Sequence, residues 1–202
     1  MGMQATTDTQ QRILDAASTL IFARSYADVG VADICRHAGV KKGSFYHFYP
    51  SKQALMLAVM DAQFINMKEK IIDKAFAEDL PPLARLERFA ELAYQLQKQI
   101  NNETGFVLGC LFGNLANELS TQDEPIRGQI QETFSKLQKL FSNVLQAAQQ
   151  RGELPMELDT EATGKAMLAY FEGVLLMAKN QNNPEVIRQL MPVMTQMRIN
   201  RS

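Results

Sequence analysis

The chain has 202 residues, 46% of them hydrophobic and 21% charged, with a formal net charge of −1. That is enough apolar length for a buried core, and so small a net charge excludes a protein that binds polyanions over its whole surface. Two cysteines with no partner spacing exclude a disulfide scaffold or a cysteine zinc site and suit a reducing cytoplasm. At the N-terminus MGMQATTDTQQR lacks the apolar stretch of a signal peptide. A first helix is expected from Thr7, with Thr7 as N-cap, Gln10 completing a capping box, and Ile13, Ala17, Leu20 and Ile21 forming the inner stripe.

Residues 31 to 49, VADICRHAGVKKGSFYHFY, read as two short helices joined by a tight turn. Val31, Ile34, Cys35 and Ala38 follow i, i+3, i+4, i+7 and face a small core, Gly39 ends the helix in a left-handed conformation, and Val40 turns back inward. In the second helix, starting near Lys41, Phe45 and Tyr49 share the buried side, whereas Lys42, Gly43, Tyr46 and His47 point the other way. Between Arg36 and Lys52 stand four cationic side chains and no carboxylate. An ordinary hairpin with a solvated basic face would carry such charge too. A helix, a glycine turn and a second helix is, however, the arrangement that lays one helix across a DNA backbone and the next in the major groove. Gly43 costs a helix about 1 kcal/mol and makes sense where the backbone must approach a surface closely.

The segments RILDAASTLIFARSYADVGVADIC and AGVKKGSFYHFYPSKQAL resemble the N-terminal domain of the TetR family of transcriptional regulators, over about the first sixty residues. The resemblance implies a dimeric, ligand-responsive DNA-binding protein, usually a repressor. The chain departs from the family pattern at three places. Gly30 stands where Ser or Thr usually opens helix two, Phe48 precedes Tyr49 where a polar aromatic is usual, and Ser25 replaces a turn glycine. Ser25 alters only the turn, whereas Gly30 and Phe48 shift the expected phosphate contacts toward Tyr46, His47 and Lys52.

Pro50 ends the recognition helix and Ser51 caps the next, from Lys52 to about Phe76, with Lys52 in the first turn, where a helix end and an ammonium can hold one phosphate. Pro81 and Pro82 precede a helix from Leu83 to about Ile100, and NNETG turns the chain into GFVLGCLFGNLANELS. A long helix runs from the Thr121–Pro125 cap region to about Arg151. Another covers about 160 to 180 and is apolar nearly all round, which suits either a central core helix or one packed against its own subunit on one side and a twofold mate on the other. It is broken by Glu172 and flanked by Lys165 and Lys179, so it is a buried helix rather than a membrane span. Asn183 and Pro184 open the last helix. The expectation is an all-α chain of about nine helices: a three-helix helix-turn-helix DNA-binding domain over 1–50 and a helical ligand-binding and dimerisation domain over 51–202. Residues 1 to 55 hold six cations against four carboxylates, leaving the larger part acidic.

Gly105, Gly109 and Gly113 recur every fourth residue, which on one helix would carve a groove for a neighbouring helix or a ligand. Phe106, Cys110, Asn114 and Asn117 would then share the adjoining face, a thiol and two amides in an apolar setting. The GCL-x-x-x-L-x-x-E pattern resembles the helix of TetR-family repressors that respond to electrophiles and oxidants, which implies that Cys110 is the sensor. A partly exposed thiol of lowered pKa adds to an α,β-unsaturated carbonyl or is oxidised to a sulfenic acid, whereas a buried one is inert packing. No cation lies within one helical turn of Cys110 to lower its pKa. Cys35 reads as packing.

Catalytic motifs are not legible. Both histidines fall in the DNA-reading segment, and there is no metal-ligand spacing, nucleophile elbow or phosphate-binding glycine loop. The reading is therefore a cytoplasmic, non-enzymatic homodimer without cofactor or metal. It binds a palindromic operator in double-stranded DNA through Lys41, Lys42, Gly43, Ser44, Tyr46, His47 and Lys52 and is released by a small-molecule effector. The release would follow a shift between the 52 to 76 helix and the 105 to 119 helix.

Overall fold

Helical periodicity governs nearly every stretch between the glycines and prolines, and the computed structural model follows it. It describes the backbone of residues 2–201 and the side chains of residues 8–201. In chain order the helices are α1 (Gly2–Ala23), α2 (Val31–Ala38), α3 (Lys42–Phe48) and α4 (Lys52–Met67). α4 continues through a π-helical stretch, Lys68–Ile72, into a last turn, Asp73–Ala75. Then come α5 (Pro82–Thr104), α6 (Leu111–Leu119), α7 (Glu124–Gln150), α8 (Thr160–Asn180) and α9 (Glu185–Leu190), which tightens into a 3-10 turn, Met191–Gln196. Among the described residues these make nine helices and no strand, with a single isolated bridge between Leu158 and Asn200. Among the described residues no helix is long and apolar enough to cross a membrane.

The chain packs as two compact units, Met1–Ile65 with Leu111–Ile130, and Asn66–Cys110 with Gln131–Ser202. In the first, the core is made of Ile13, Ala17 and Ile21 of α1, Ile34, Cys35 and Ala38 of α2, Phe45 of α3 and Tyr49 just after it, all buried. Arg12 of α1 donates to the carbonyls of Ala38 and Gly39, placing a cation on the C-terminal end of α2. α1 starts upstream of Thr7, so the expected cap position falls inside a helix, and the Thr7 side chain lies outside the described residues. Gln10 does not close a capping box; it bonds the Tyr49 hydroxyl instead.

In the second unit the core is aromatic. Phe89 lies 5.7 Å from Phe76, 5.2 Å from Phe141 and 5.0 Å from Phe171 by ring centroids. Edge and tilted contacts of this kind suit the ring quadrupole. α8 meets α7 closely at Gly164, where an added Cβ would stand 2.9 Å from Ser142 Oγ and 3.1 Å from the Gln138 carbonyl. The Asp159 carboxylate caps α8 through the amides of Glu161 and Ala162. Ala169, Gly173, Leu176 and Met177 form an outward stripe, with Leu176 59% and Met177 47% exposed.

The glycine-cysteine segment differs from its sequence reading. Residues 105–110 are not helical, so Phe106, Cys110, Asn114 and Asn117 do not share a helix face. α5 runs on to Thr104 and ends at Gly105 with φ 80°, and Gly109 has φ 72°. Two of the three glycines therefore supply backbone conformations that L side chains rarely adopt, instead of carving a groove. Side-chain amides hold the resulting turn: Asn182 accepts from the Val107 amide at 2.8 Å and donates to the Gly105 carbonyl at 3.0 Å. Gln97, buried, accepts from Gly109 N–H at 3.1 Å and donates to its carbonyl at 3.0 Å.

Candidate nucleic-acid interface

α2 is capped at Gly30 without a hydroxyl. The Asp33 carboxylate accepts from the Gly30 amide at 3.1 Å, and Gly39 ends the helix at φ 64° with the Val40 amide bonded to the Cys35 carbonyl at 2.9 Å. The turn to α3 is thus fixed by backbone. α3 splits as its periodicity predicts: Phe45 and Tyr49 are buried, while Lys41, Lys42, Gly43, Tyr46 and His47 are exposed and Ser44 half-buried. Tyr46 is 55% exposed, and its ring stands edge-on to Phe45 at 5.1 Å, which holds it in place. Phe48 is half-buried beside His47.

The charge of the face is more narrowly distributed than the sequence suggests. Arg12 caps α2 and Arg36 pairs with Asp33. Lys52 donates its ammonium to the Tyr26 carbonyl and lies over the Tyr26 ring at 4.0 Å, and its burial pushes its pKa down. Lys41 and Lys42 have no ion-pair partner among the described residues and carry the outward charge of α3. Ser51 does cap α4, its hydroxyl accepting from the Ala54 amide at 3.0 Å.

Gly43 has nothing within 4 Å of where a Cβ would project. Internal packing does not require it, so Gly43→Ala should raise the unfolding free energy by about 0.5–1 kcal/mol through helix propensity. The same variant should bind DNA less tightly, because its methyl stands on the exposed basic face that the sequence reading turns toward a duplex. Chemical denaturation and a band shift on one preparation check the opposite signs.

Sequence reasoning missed Glu118. From the end of α6 its carboxylate accepts from the Tyr26 amide at 3.0 Å and the Ala27 amide at 2.6 Å, fastening the turn between α1 and α2. Gln53 reinforces the unit by donating to Asp123 at 2.8 Å. The acidic residue closing the GCL-x-x-x-L-x-x-E pattern was visible, but the turn it reaches lies about ninety residues earlier.

Cys110 is half-buried directly ahead of α6, and Cys35 is buried, with its pKa raised by burial. Phe106 is 63% exposed, and the Asn117 amide bonds the Gly113 carbonyl of its own helix at 3.0 Å. Also missed was Glu172 of α8, hydrogen-bonded to Cys110. Burial raises its pKa to about 7, and the bond with Cys110 pulls the other way. Its Oε1 is buried without a hydrogen-bond partner. A carboxyl that binds its proton more tightly folded than unfolded destabilises the fold once both states are ionised. Wild-type stability should therefore fall as pH rises from 4.5 through about 7. Glu172→Gln should be the more stable protein at about pH 8, by on the order of 3 kcal/mol, with the gap closing by about pH 4. Urea denaturation at the two pH values checks this.

Comparison with known proteins fits this geometry. The family model described as bacterial regulatory proteins, tetR family, matches residues 13–59, and one described as tetracyclin repressor-like, C-terminal domain, matches residues 82–194. The transcriptional regulator AcuR of Cereibacter sphaeroides is 31% identical over 87% of this chain and 78% of its own. The transcriptional repressor DhaR of a Mycobacterium species is 27% identical over 94% and 91%. A crystal structure of a regulatory protein TetR from Rhodobacter sphaeroides superposes with a TM-score of 0.82 at 29% identity, covering 94% of this chain and 98% of that one.

Proposed function

This chain belongs to the tetR family of bacterial regulatory proteins, and we propose on that premise that it is a cytoplasmic repressor, released from a palindromic operator by a small molecule or a reactive electrophile or oxidant. As a member of the family it is a DNA-binding transcriptional regulator and not an enzyme. The observation that carries the reading is α3, where two aromatic rings anchor one side and Lys41, Lys42, Gly43, Ser44, Tyr46 and His47 line the other. Lys42 and Ser44 face the base edges, and Tyr46 and His47 hold phosphates. Lys52, in the first turn of α4, adds a phosphate contact when its ammonium leaves the Tyr26 carbonyl.

A palindrome requires two such helices at a fixed spacing. The apolar outward stripe of α8 supplies the contact, since Ala169 and Gly173 let a second helix approach between Leu176 and Met177. The input is Cys110. Phe106, Asn114 and Asn117 no longer share a face with it, so the sensor reading narrows to the thiol, which immediately precedes α6. α6 carries Glu118 in its last turn, so a change at Cys110 reaches the α1–α2 turn along one short helix. A coupling of about 1–3 kcal/mol lowers operator affinity roughly five- to 150-fold.

The test is a band shift titrated with an α,β-unsaturated carbonyl compound. Wild type is expected to release its operator and Cys110→Ser to retain it. Equal release by both variants would make the effector a reversibly bound ligand.

A further inference from the structure

Glu172 is a costly residue where it stands. A half-buried glutamate whose Oε1 is shielded from solvent without a hydrogen-bond partner lowers stability when it ionises, and such a group in a native protein calls for a chemical explanation. Its other observed interaction is the hydrogen bond to Cys110. The thiol in turn is held on a rigid backbone: Gly109, immediately before it, is clamped on both its amide and its carbonyl by Gln97. A fixed nucleophile with a carboxylate at its proton is the layout of a thiol activated by an adjacent base.

We propose that Glu172 is the base that takes the Cys110 proton as the sulfur adds to the β-carbon of an α,β-unsaturated carbonyl compound, and the acid that then returns that proton to the α-carbon. The proposal rests on Cys110 being the sensor. In the first half the S–H bond breaks, its proton passes to the Glu172 carboxylate, the S–C bond forms and the C=C electrons move onto the α-carbon and carbonyl oxygen. In the second half the Glu172 carboxyl protonates the α-carbon, giving a thioether and restoring the carboxylate. The balance is closed: no oxidant, reductant or external base is consumed. A proton-transfer partner with a pKa near the working pH is the efficient one in both directions, which suits a carboxyl whose burial places it there.

The experiment uses the full chain and N-ethylmaleimide, with adduct formation at each cysteine followed by peptide mass spectrometry. Cys110 in Glu172→Gln is expected to be alkylated about a hundredfold more slowly than in wild type. Cys35, buried in the first unit, reports whether the variant remains folded, since its labelling should stay as slow as in wild type. In Glu172→Ala, formate should restore part of the lost rate at Cys110 by occupying the vacated carboxylate position. A Cys110 rate in Glu172→Gln equal to or above wild type would overturn the proposal, as would a Glu172→Ala rate indifferent to formate. If wild-type Cys110 is alkylated and releases DNA while Glu172→Gln behaves identically, Glu172 alone is misassigned. If wild-type Cys110 is not alkylated at all, the sensor reading falls with it.

Discussion

Tyr46→Ala is expected to weaken operator binding roughly thirty- to 150-fold while leaving stability nearly unchanged. The ring is 55% exposed and supported edge-on by the fully buried Phe45, so its hydroxyl is presented outward at little cost in side-chain freedom. Losing one hydrogen bond to a phosphate costs about 1–1.5 kcal/mol per half-site, and a twofold complex loses it twice. The effect should be similar on every operator variant, because a phosphate contact carries no base identity. Lys42→Ala is the complementary case: with its ammonium at the base edges, its loss should cost about 1–3 kcal/mol and relax discrimination at one base pair of each half-site. Band shifts on a set of single-base operator variants read both outcomes.

Glu118→Ala should damage both stability and operator binding, although the residue lies outside α3. It strands the amides of Tyr26 and Ala27 and removes a carboxylate from beside the Lys52 ammonium. Charge-assisted bonds of this kind contribute about 1.5–3 kcal/mol, which corresponds to a drop of roughly 3–12 °C in Tm. The turn they hold feeds Val29, fully buried, and Gly30, the cap of α2, so the helix that supports α3 loses its entry angle and operator affinity should fall as well. Glu118→Gln keeps one acceptor oxygen and should lie between the two. Thermal unfolding followed by a band shift tests it, and wild-type values in both would remove Glu118 from the account.

The reading helix was legible because its information is local. The alternation of Phe45 and Tyr49 with Lys42, Tyr46 and His47 is a statement about 3.6-residue periodicity, with Gly39 ending the helix before it and Pro50 following its own end. The segment from Gly105 to Cys110 was misread for the same reason. Glycines spaced by four fit a helix face, but the conformations at Gly105 and Gly109 are set by Gln97 and Asn182, partners distant in sequence. Lys52 shows a third case. Its position in the first turn of α4 was correct, yet the Tyr26 carbonyl that takes its ammonium could not be inferred from spacing. Glu118 and Glu172 were visible as carboxylates, but nothing in the sequence selected a role for either, because that role depends on what each meets, here two backbone amides and a thiol.

The central claim is that α3 of two subunits reads a palindrome. Footprinting of the purified protein on the promoter beside its own gene tests it most directly. The account predicts protection of a sequence with dyad symmetry, its half-sites separated by about one helical turn or a multiple of it, and lost in Tyr46→Ala. Protection without dyad symmetry, or protection unchanged in Tyr46→Ala, would contradict it.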